Sequence, residues 1–142
     1  MIALGSDHGG YLYKEELKKH LDAKGIEYID FGTDSTASCD YPVYAEKVCR
    51  AIQSGECEKG ILICGTGIGI SIAANKVKGV RAALCHDVYS AKMTKQHNNA
   101  NVLVMPARFI PFETVLEITD AWLDEPFEGG RHQGRIDKIP VK

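Results

Sequence analysis

The chain has 142 residues, a formal net charge of −2 and five cysteines. Its length suits one domain with a buried core, and its nearly balanced charge is unlike that of a general nucleic-acid binder. No apolar run reaches the roughly 20 residues of a membrane-spanning helix, and no basic leader precedes the first strand-like segment. We therefore expect a cytoplasmic protein without membrane or nucleic-acid partners. The irregular cysteine spacing, without a C-x-x-C pair, favours free thiols over disulfides or a zinc ribbon.

Strand-like and helix-like segments alternate along the chain. Short apolar runs bounded by glycine are typical of strands that are buried on both faces of a parallel sheet. Five strands are predicted, at residues 1–6, 26–31, 60–64, 80–85 and 102–105. Helices are predicted at residues 11–24, 42 to about 55, 70–76, 88–97 and 111–123. This alternation predicts an α/β fold in which helices cover both faces of a parallel sheet.

Several chemically active side chains follow directly after predicted strands. In open parallel sheets, ligands bind beyond the carboxyl ends of the strands. This rule places four segments along one edge, namely 7–8, 64–66, 86–87 and 106–108. Tyr41 and the pair His97-Asn98 belong to neighbouring segments that could lean over the same edge. We therefore expect the functional site there.

The glycine loop Cys64–Gly69 joins the third strand to a short helix. Three glycines at alternate positions let the backbone turn sharply and expose its N–H groups. A helix N-terminus favours negative charge, so a thiolate on the preceding Cys64 is stabilised there. The loop thus offers a possible base beside donors for a developing oxyanion. The alternative is a tight turn that carries a structural cysteine.

Two histidine-containing pairs are further candidates. Asp7 and His8 could form an acid–base pair or contact ligand hydroxyls; alternatively, Asp7 caps the first helix and His8 is solvated. His97 could act as a proton shuttle near neutral pH. Alternatively, His97 is favoured at that helix end by the dipole, with Asn98 as a left-handed cap. Spacing alone leaves these alternatives open.

The polar segment after Pro126 predicts a C-terminal arm of about residues 126–142, with a bend at Gly129-Gly130 that could let it reach a neighbouring subunit. Arg131 and Arg135 would share one face of a helix, and two guanidinium groups on one face bind a phosphate well. Arg108 is a third candidate cation. The alternative is that all three arginines are ordinary surface residues.

Metal binding is not predicted, because the adjacent residues Cys85, His86 and Asp87 would point to opposite faces of a strand and form a poor ligand set. The aromatic side chains are assigned to the core and not to a surface for stacking bases.

Five motifs together resemble the type B ribose-5-phosphate isomerases and the related galactose-6-phosphate and allose-6-phosphate isomerases. They are Gly5–Gly9, Asp40–Pro42, Cys64–Lys76, Gln96–Asn98 and Glu128–His132. The resemblance covers essentially the whole chain and implies a Rossmann-like, three-layer αβα sandwich with a five-stranded parallel sheet, as a single domain over residues 1–142. It also implies a cofactor-free aldose–ketose isomerase. Its expected assembly is a homodimer or a dimer of dimers, in which each site borrows residues from the partner. The cysteine at position 64, without a glutamate near residues 73–75, resembles the cysteine branch of the family.

The resemblance also implies a role for each matched residue. Cys64 would move the proton between C1 and C2 of the sugar, Asp7 would assist ring opening, and His97 would donate and accept the proton that opens the furanose. Asn98 would hold sugar or enediolate oxygens, with Tyr41 nearby. The implied anion hole for the enediolate consists of Gly65, Thr66, Gly67, Ile68 and Gly69. The implied phosphate ligands are His8, Arg108, Arg131 and Arg135.

The expected reaction interconverts ribose 5-phosphate and ribulose 5-phosphate through a cis-enediolate, as in the pentose phosphate pathway. Removal of a carbon-bound proton beside a carbonyl needs a base matched to the working pH and fixed donors for the oxyanion, and the glycine loop could supply both. One alternative is an isomerase of a six-carbon aldose or its 6-phosphate. Another is a non-catalytic, flavodoxin-like module whose glycine loop holds a nucleotide or flavin phosphate.

Overall fold

The computed structural model describes residues 1–139 of the chain. Five strands alternate with five helices in this part, and a sixth helix follows the fifth. The strands are β1 (Ile2–Ser6), β2 (Tyr28–Asp30), β3 (Lys59–Cys64), β4 (Ala82–Leu84) and β5 (Val102–Pro106). The helices are α1 (Tyr11–Ala23), α2 (Tyr41–Gln53), α3 (Ile68–Ala74), α4 (Val88–Gln96), α5 (Phe112–Asp124) and α6 (Arg131–Ile136). Residues 140–142, the end of the predicted C-terminal arm, lie outside the described residues. None of the described helices is both long and apolar enough to cross a membrane.

The strands form one sheet in the order β2-β1-β3-β5-β4, and all neighbouring strands are parallel. This confirms the predicted five-stranded parallel sheet. The chain passes from β1 to β2 on one side and then crosses to β3 on the other side of β1, so the connections diverge between β1 and β3. Such a divergence opens a crevice at the carboxyl ends of the two strands, where ligands bind in sheets of this kind.

Both faces of the sheet are covered by helices, which confirms the three-layer αβα arrangement. Ile61 and Ile63 of β3 pack in one core cluster with residues of α1 and α5, including the fully buried Trp122. Leu62, which points to the opposite face, packs with Val48 of α2 and with residues of α3. Burial of each such aliphatic side chain contributes about 1.5–3 kcal/mol to folding.

The aromatic side chains only partly belong to the core, so the prediction that places them there is wrong for three of them. Trp122 is fully buried, whereas Tyr41, Tyr89 and Phe109 are exposed. Tyr41 and Tyr89 lie in the first turns of α2 and α4, which follow β2 and β4, and Phe109 follows β5. Their position near the predicted binding edge explains why helical periodicity does not bury them.

The segment after α5 turns sharply before its last described helix. Gly129 and Gly130 have φ values of +71° and +56°, a region that favours glycine, and they confirm the predicted bend. The helix α6 begins directly after them and carries Arg131 and Arg135. The predicted four-residue spacing therefore places both arginines on one helix.

A buried lysine near Trp122 weakens the fold near neutral pH. Lys95 of α4 is only 6% exposed, and its Nζ atom lies 5.0 Å from the centre of the Trp122 ring. Burial, together with the like charge of Lys59, lowers the pKa of Lys95 to about 8. Because this pKa lies below that of an unfolded lysine, burial of the charged Lys95 lowers the free energy of unfolding, and this cost is fully present below pH 8. It fades as the pH rises towards 10.5, where the unfolded chain also loses the proton.

We expect Lys95→Met to raise the free energy of unfolding by about 1–3 kcal/mol at pH 7, because methionine fills the site without a buried charge. The gain should shrink as the pH rises from 8 towards 10.5. Denaturant unfolding of both proteins at several pH values measures it, with Lys92→Met, an exposed lysine on the same helix, as the control. A gain that stays constant across this pH range would contradict the assignment to Lys95.

Candidate active site

The sulfur of Cys64 lies at the end of β3, under the glycine loop. The backbone N–H of Gly67 donates a hydrogen bond to Cys64 Sγ over 3.0 Å. The side chain is 5% exposed, so the sulfur is mostly enclosed. Gly67 has a φ of +74°, and a side chain there would collide with Leu84. The sequence Cys64-Gly65-Thr66-Gly67 therefore folds so that a backbone donor points at the sulfur.

The turn after β1 packs directly against this loop. Asp7 Oδ1 accepts hydrogen bonds from the N–H groups of Gly9 and Gly10, at 2.9 and 3.1 Å. The position that a Cβ on Gly9 would occupy lies only 3.1 Å from the nitrogen of Gly65. Asp7 therefore organises the turn before α1 without capping the helix itself, whose N-cap is Gly10. The residues that follow β1 and β3 therefore lie together at the carboxyl edge of the sheet.

Three further predicted residues complete this group. His8 Nδ1 accepts a hydrogen bond of 3.2 Å from the backbone N–H of Cys39, so His8 is anchored and not merely solvated. The Tyr41 ring lies over Gly69, and the Arg108 guanidinium lies over Gly65; in each case a Cβ on the glycine would crowd the side chain. We call this group the carboxyl-edge cluster. It consists of Asp7, His8, Tyr41, the loop Cys64–Gly69 and Arg108.

The prediction that His97 and Asn98 lean over the same edge is wrong within one chain. A helix that follows a parallel strand runs back along the sheet, so α4 carries His97 to the amino ends of the strands. Arg81, which precedes β4, donates hydrogen bonds to the carbonyl groups of Asn98 and Asn99, at 3.1 and 2.8 Å. The left-handed residue at this helix end is Asn99, with a φ of +45°, and not Asn98.

The arginines of α6 accompany His97 at this second location. The ring of His132, in the first turn of α6, stacks on the His97 ring with centroids 4.5 Å apart. We call this group the amino-edge cluster. It consists of His97, Asn98, Glu128, Arg131, His132 and Arg135. One chain thus carries the predicted site residues as two separate clusters.

Sequence reasoning missed Glu128 and His132. A Glu128 Oε1 atom lies 3.5 Å from His132 Nε2 and 4.0 Å from His97 Nε2. Burial, followed by the charges of Arg131 and His97, lowers the pKa of His132. The Gly129-Gly130 bend between these two residues was the sequence signal that could have identified them, because it returns the chain onto the end of α4.

A cleft of about 710 Å³ lies beside the amino-edge cluster. It is lined by residues that precede β4, by the chain between α4 and β5, and by the end of α6, including Asn98, Arg81 and Ile136. The cleft also reaches Asn75 and Lys76, which directly follow α3. This helix presents Ile68 and Ile72 to solvent, at 54% and 58% exposure. These residues lie four apart and therefore share one face of the helix.

The other cysteines have different environments from Cys64. Burial raises the pKa of Cys49 to about 12 and that of Cys85 to about 11, so both remain neutral thiols near pH 7. Burial also raises the pKa of Cys57. Cys39 lies 3.8 Å from His8 Nδ1 at the carboxyl edge. Only Cys64, among the described cysteines, accepts a hydrogen bond from the glycine loop.

A family model described as Ribose/Galactose Isomerase matches residues 2–139, and the chain belongs to this family. Ribose-5-phosphate isomerase B of Escherichia coli is 51% identical over 138 residues, which are 97% of this chain and 93% of the relative. A structure of a ribose 5-phosphate isomerase from Thermotoga maritima superposes with a TM-score of 0.97. The two sequences are 51% identical, and the match covers 99% of this chain and 97% of the Thermotoga maritima chain. These matches confirm the recognised family and the Rossmann-like fold.

A third relative has been solved with a ligand. Ribose-5-phosphate isomerase B from Mycoplasma genitalium, with bound ribulose-5-phosphate, has a TM-score of 0.93 and 44% identity. The match covers 97% of this chain and 92% of that one.

We expect Gly67→Ala to lower the free energy of unfolding by about 1–3 kcal/mol more than Gly79→Ala. Both glycines have positive φ values, +74° and +88°, but a Cβ on Gly79 meets open space, whereas one on Gly67 meets Leu84. Comparison of the two variants thus separates the cost of the collision with Leu84 from the cost of placing alanine at a positive φ. Denaturant unfolding measures the difference, and equal losses would contradict the close packing of the loop.

Proposed function

We propose that this chain interconverts ribose 5-phosphate and ribulose 5-phosphate, with Cys64 as the base. Its homology to ribose-5-phosphate isomerases supports the substrate. The observation that supports the base is the 3.0 Å hydrogen bond from Gly67 N–H to the sulfur, because a donor of this kind stabilises a thiolate. The reaction would belong to sugar phosphate metabolism in the cytoplasm, within the pentose phosphate pathway.

The proton transfer follows from the position of the sulfur. In the open-chain aldose, the Cys64 thiolate removes the proton from C2, and the electrons of that bond form the C1–C2 double bond while the carbonyl oxygen becomes negative. The C2 hydroxyl then gives its proton to O1, the C2–O2 double bond forms, and the electrons of the C1–C2 double bond take the proton from the thiol at C1. This leaves the ketone at C2 and regenerates the thiolate. Backbone N–H groups of the loop from Gly65 to Gly69, together with Thr66, would hold the negative oxygen.

Ring opening requires a second acid–base group, because ribose 5-phosphate is mostly a furanose. We assign this step to His97, assisted by Asp7, and we assign Asn98 and Tyr41 to the sugar oxygens. Asp7 has one carboxylate oxygen engaged by Gly9 and Gly10. Its second oxygen accepts no hydrogen bond from residues 1–139 and is available to a sugar hydroxyl.

The phosphate would be held by three arginines and His8. Among the described residues, none of Arg108, Arg131 and Arg135 forms an ion pair with a carboxylate. Unpaired guanidinium groups suit a doubly charged phosphate, which they can bind in a bidentate manner. Binding energy from this remote group can orient the reacting carbons.

The separation of the two clusters supports a homodimer, or a dimer of dimers, with shared sites. The carboxyl-edge cluster holds the base, whereas the amino-edge cluster holds His97 and two phosphate ligands. A two-fold axis could bring the first cluster of one subunit against the second cluster of its partner. The exposed Ile68 and Ile72 and the nearby cleft are suitable contact surfaces for such an assembly. In this arrangement the C-terminal arm contacts the partner subunit.

We expect Cys64→Ala to lower kcat on ribose 5-phosphate by about 10²–10⁴-fold and to abolish exchange of the C2 proton with solvent, while substrate binding remains measurable. Coupled-assay kinetics and proton NMR in deuterium oxide measure both. Cys49→Ala is the matched control, since Cys49 is a buried thiol of α2 whose sulfur, among residues 1–139, makes no hydrogen bond with the loop. Undiminished exchange would exclude Cys64 as the base. Preferred turnover of allose 6-phosphate or of free hexoses by the unmodified protein would instead overturn the five-carbon substrate.

We expect equal amounts of the Cys64→Ala and His97→Ala proteins, each nearly inactive, to regain about a quarter of full activity after mixing and subunit exchange. Half of the dimers would then be mixed, and each would contain one intact site of two. Steady-state turnover before and after brief denaturation and refolding measures the gain. If each site used residues of a single chain, no mixed dimer would contain an intact site and no activity would return.

A further inference from the structure

We propose that His132 and Glu128 are positioning residues that hold the His97 imidazole in the orientation needed for ring opening. This inference rests on the proposed function, in which His97 handles the furanose proton. It assigns a purpose to two residues that the proton transfer at C1 and C2 does not use.

The two imidazole rings are stacked closely. Their centroids lie 4.5 Å apart, and their planes differ by 19°. His132 is 5% exposed, whereas the His97 side chain is 42% exposed, so the buried ring forms a fixed platform beneath the accessible one. An exposed histidine at a helix end would otherwise sample several rotamers. Stacking on His132 restricts the plane of the His97 ring.

The platform is itself fixed to the helix that carries His97. The backbone N–H of Glu128 donates a hydrogen bond to the carbonyl of Gln96 over 3.1 Å. The bend at Gly129-Gly130 then brings His132 back over the end of α4. The Glu128 carboxylate lies beside the Nε2 atoms of both rings, at 3.5 and 4.0 Å. It can therefore orient the edge of each ring as well as offset the charge of Arg131 and Arg135.

An unusual polar atom indicates that this arrangement serves more than packing. His132 Nε2 is fully buried and has no hydrogen-bond partner among residues 1–139. Burial of a ring nitrogen that lies 3.5 Å from a carboxylate oxygen but forms no hydrogen bond is unfavourable, and such costs concentrate at functional sites. An apolar ring would pack at this position without that cost. The nitrogen faces the carboxylate that also faces His97, which couples the three side chains.

A metal centre is a poorer interpretation of the same three side chains. Their ligand atoms lie within 4.8 Å of one another. However, the lone pair of an imidazole lies in the ring plane, and two nearly parallel stacked rings direct their lone pairs side by side and not towards a common point. Arg131 and Arg135 on the same short helix also disfavour a cation.

Ring opening depends strongly on orientation. The proton leaves O1 of the furanose, the C1=O1 bond forms, and the C1–O4 bond breaks with its electron pair and a proton going to O4. A histidine can deliver or remove such a proton only when its ring edge faces the oxygen at hydrogen-bond distance. Loss of this alignment slows the step without changing the chemistry at C1 and C2.

The test compares two reactions that differ in their need for ring opening. Turnover of ribose 5-phosphate requires it, whereas solvent exchange of a C1 proton of ribulose 5-phosphate does not, because this ketose cannot close a five-membered ring through its phosphorylated O5. We expect His132→Ala to lower kcat on ribose 5-phosphate by about 10- to 100-fold, with KM and C1 exchange within about threefold of the unmodified protein. Glu128→Gln should act in the same direction but less strongly.

His132→Phe keeps a flat ring beneath His97. We expect the decrease in log kcat on ribose 5-phosphate to be at most half of the decrease caused by His132→Ala. Gln133→Ala, an exposed change on the same helix, is the control for disturbance of α6 and should behave as the unmodified protein. Circular dichroism and thermal unfolding establish that each variant is folded. Treatment of the unmodified protein with a chelator should leave turnover unchanged.

Equal losses of turnover and C1 exchange in His132→Ala would overturn the proposal, because they would indicate a general disturbance of the site. So would equal defects in the alanine and phenylalanine variants, or loss of activity with the chelator. An unmodified protein that neither turns over ribose 5-phosphate nor exchanges the C1 proton would refute the proposed function itself. That outcome is distinguishable, since it does not depend on any variant.

Discussion

The hydrogen bond from Gly67 N–H to Cys64 Sγ is the contact on which the carboxyl-edge cluster depends. It requires a left-handed residue immediately before α3, which glycine supplies without strain. Gly65 and Gly69 of the same loop have no side chains. Arg108 and Tyr41 can therefore lie directly over the loop. One local conformation thus sets the surroundings of the sulfur and the positions of Arg108 and Tyr41 together.

Parallel strands impose a second constraint, which is directional. Residues that follow strands collect at one edge of the sheet, and residues that follow helices collect at the other. Asp7 and Cys64 belong to the first group, whereas His97 belongs to the second. No rotamer change within one chain can bring a residue at one edge to the other. In the proposed function, proton transfer at carbon by Cys64 and ring opening by His97 would therefore need two copies of the chain to act on one substrate.

Most of the fold and half of the candidate site could be predicted from the sequence. The short Ile- and Val-rich strands identify the sheet because parallel strands are apolar on both faces, and the position directly after a strand placed Asp7 and Cys64 correctly. His97 was misplaced because its motif was considered without the direction of its helix, which the predicted parallel order of strands and helices already implies. His132 was missed because its partner lies across a glycine bend, where no periodicity applies.

In the proposed function, the short helix α3 would connect catalysis with assembly. Its first residues provide the backbone donors of the glycine loop, while Ile68 and Ile72 expose an apolar face of the same helix. Exposed apolar neighbours of this kind are unfavourable in a monomer and favourable when a partner covers them. In the proposed dimer, contact with the partner would hold α3 and, through it, Gly67 against the sulfur. Association would then do more than supply His97 and the α6 arginines, because it would also fix the donor that stabilises the thiolate.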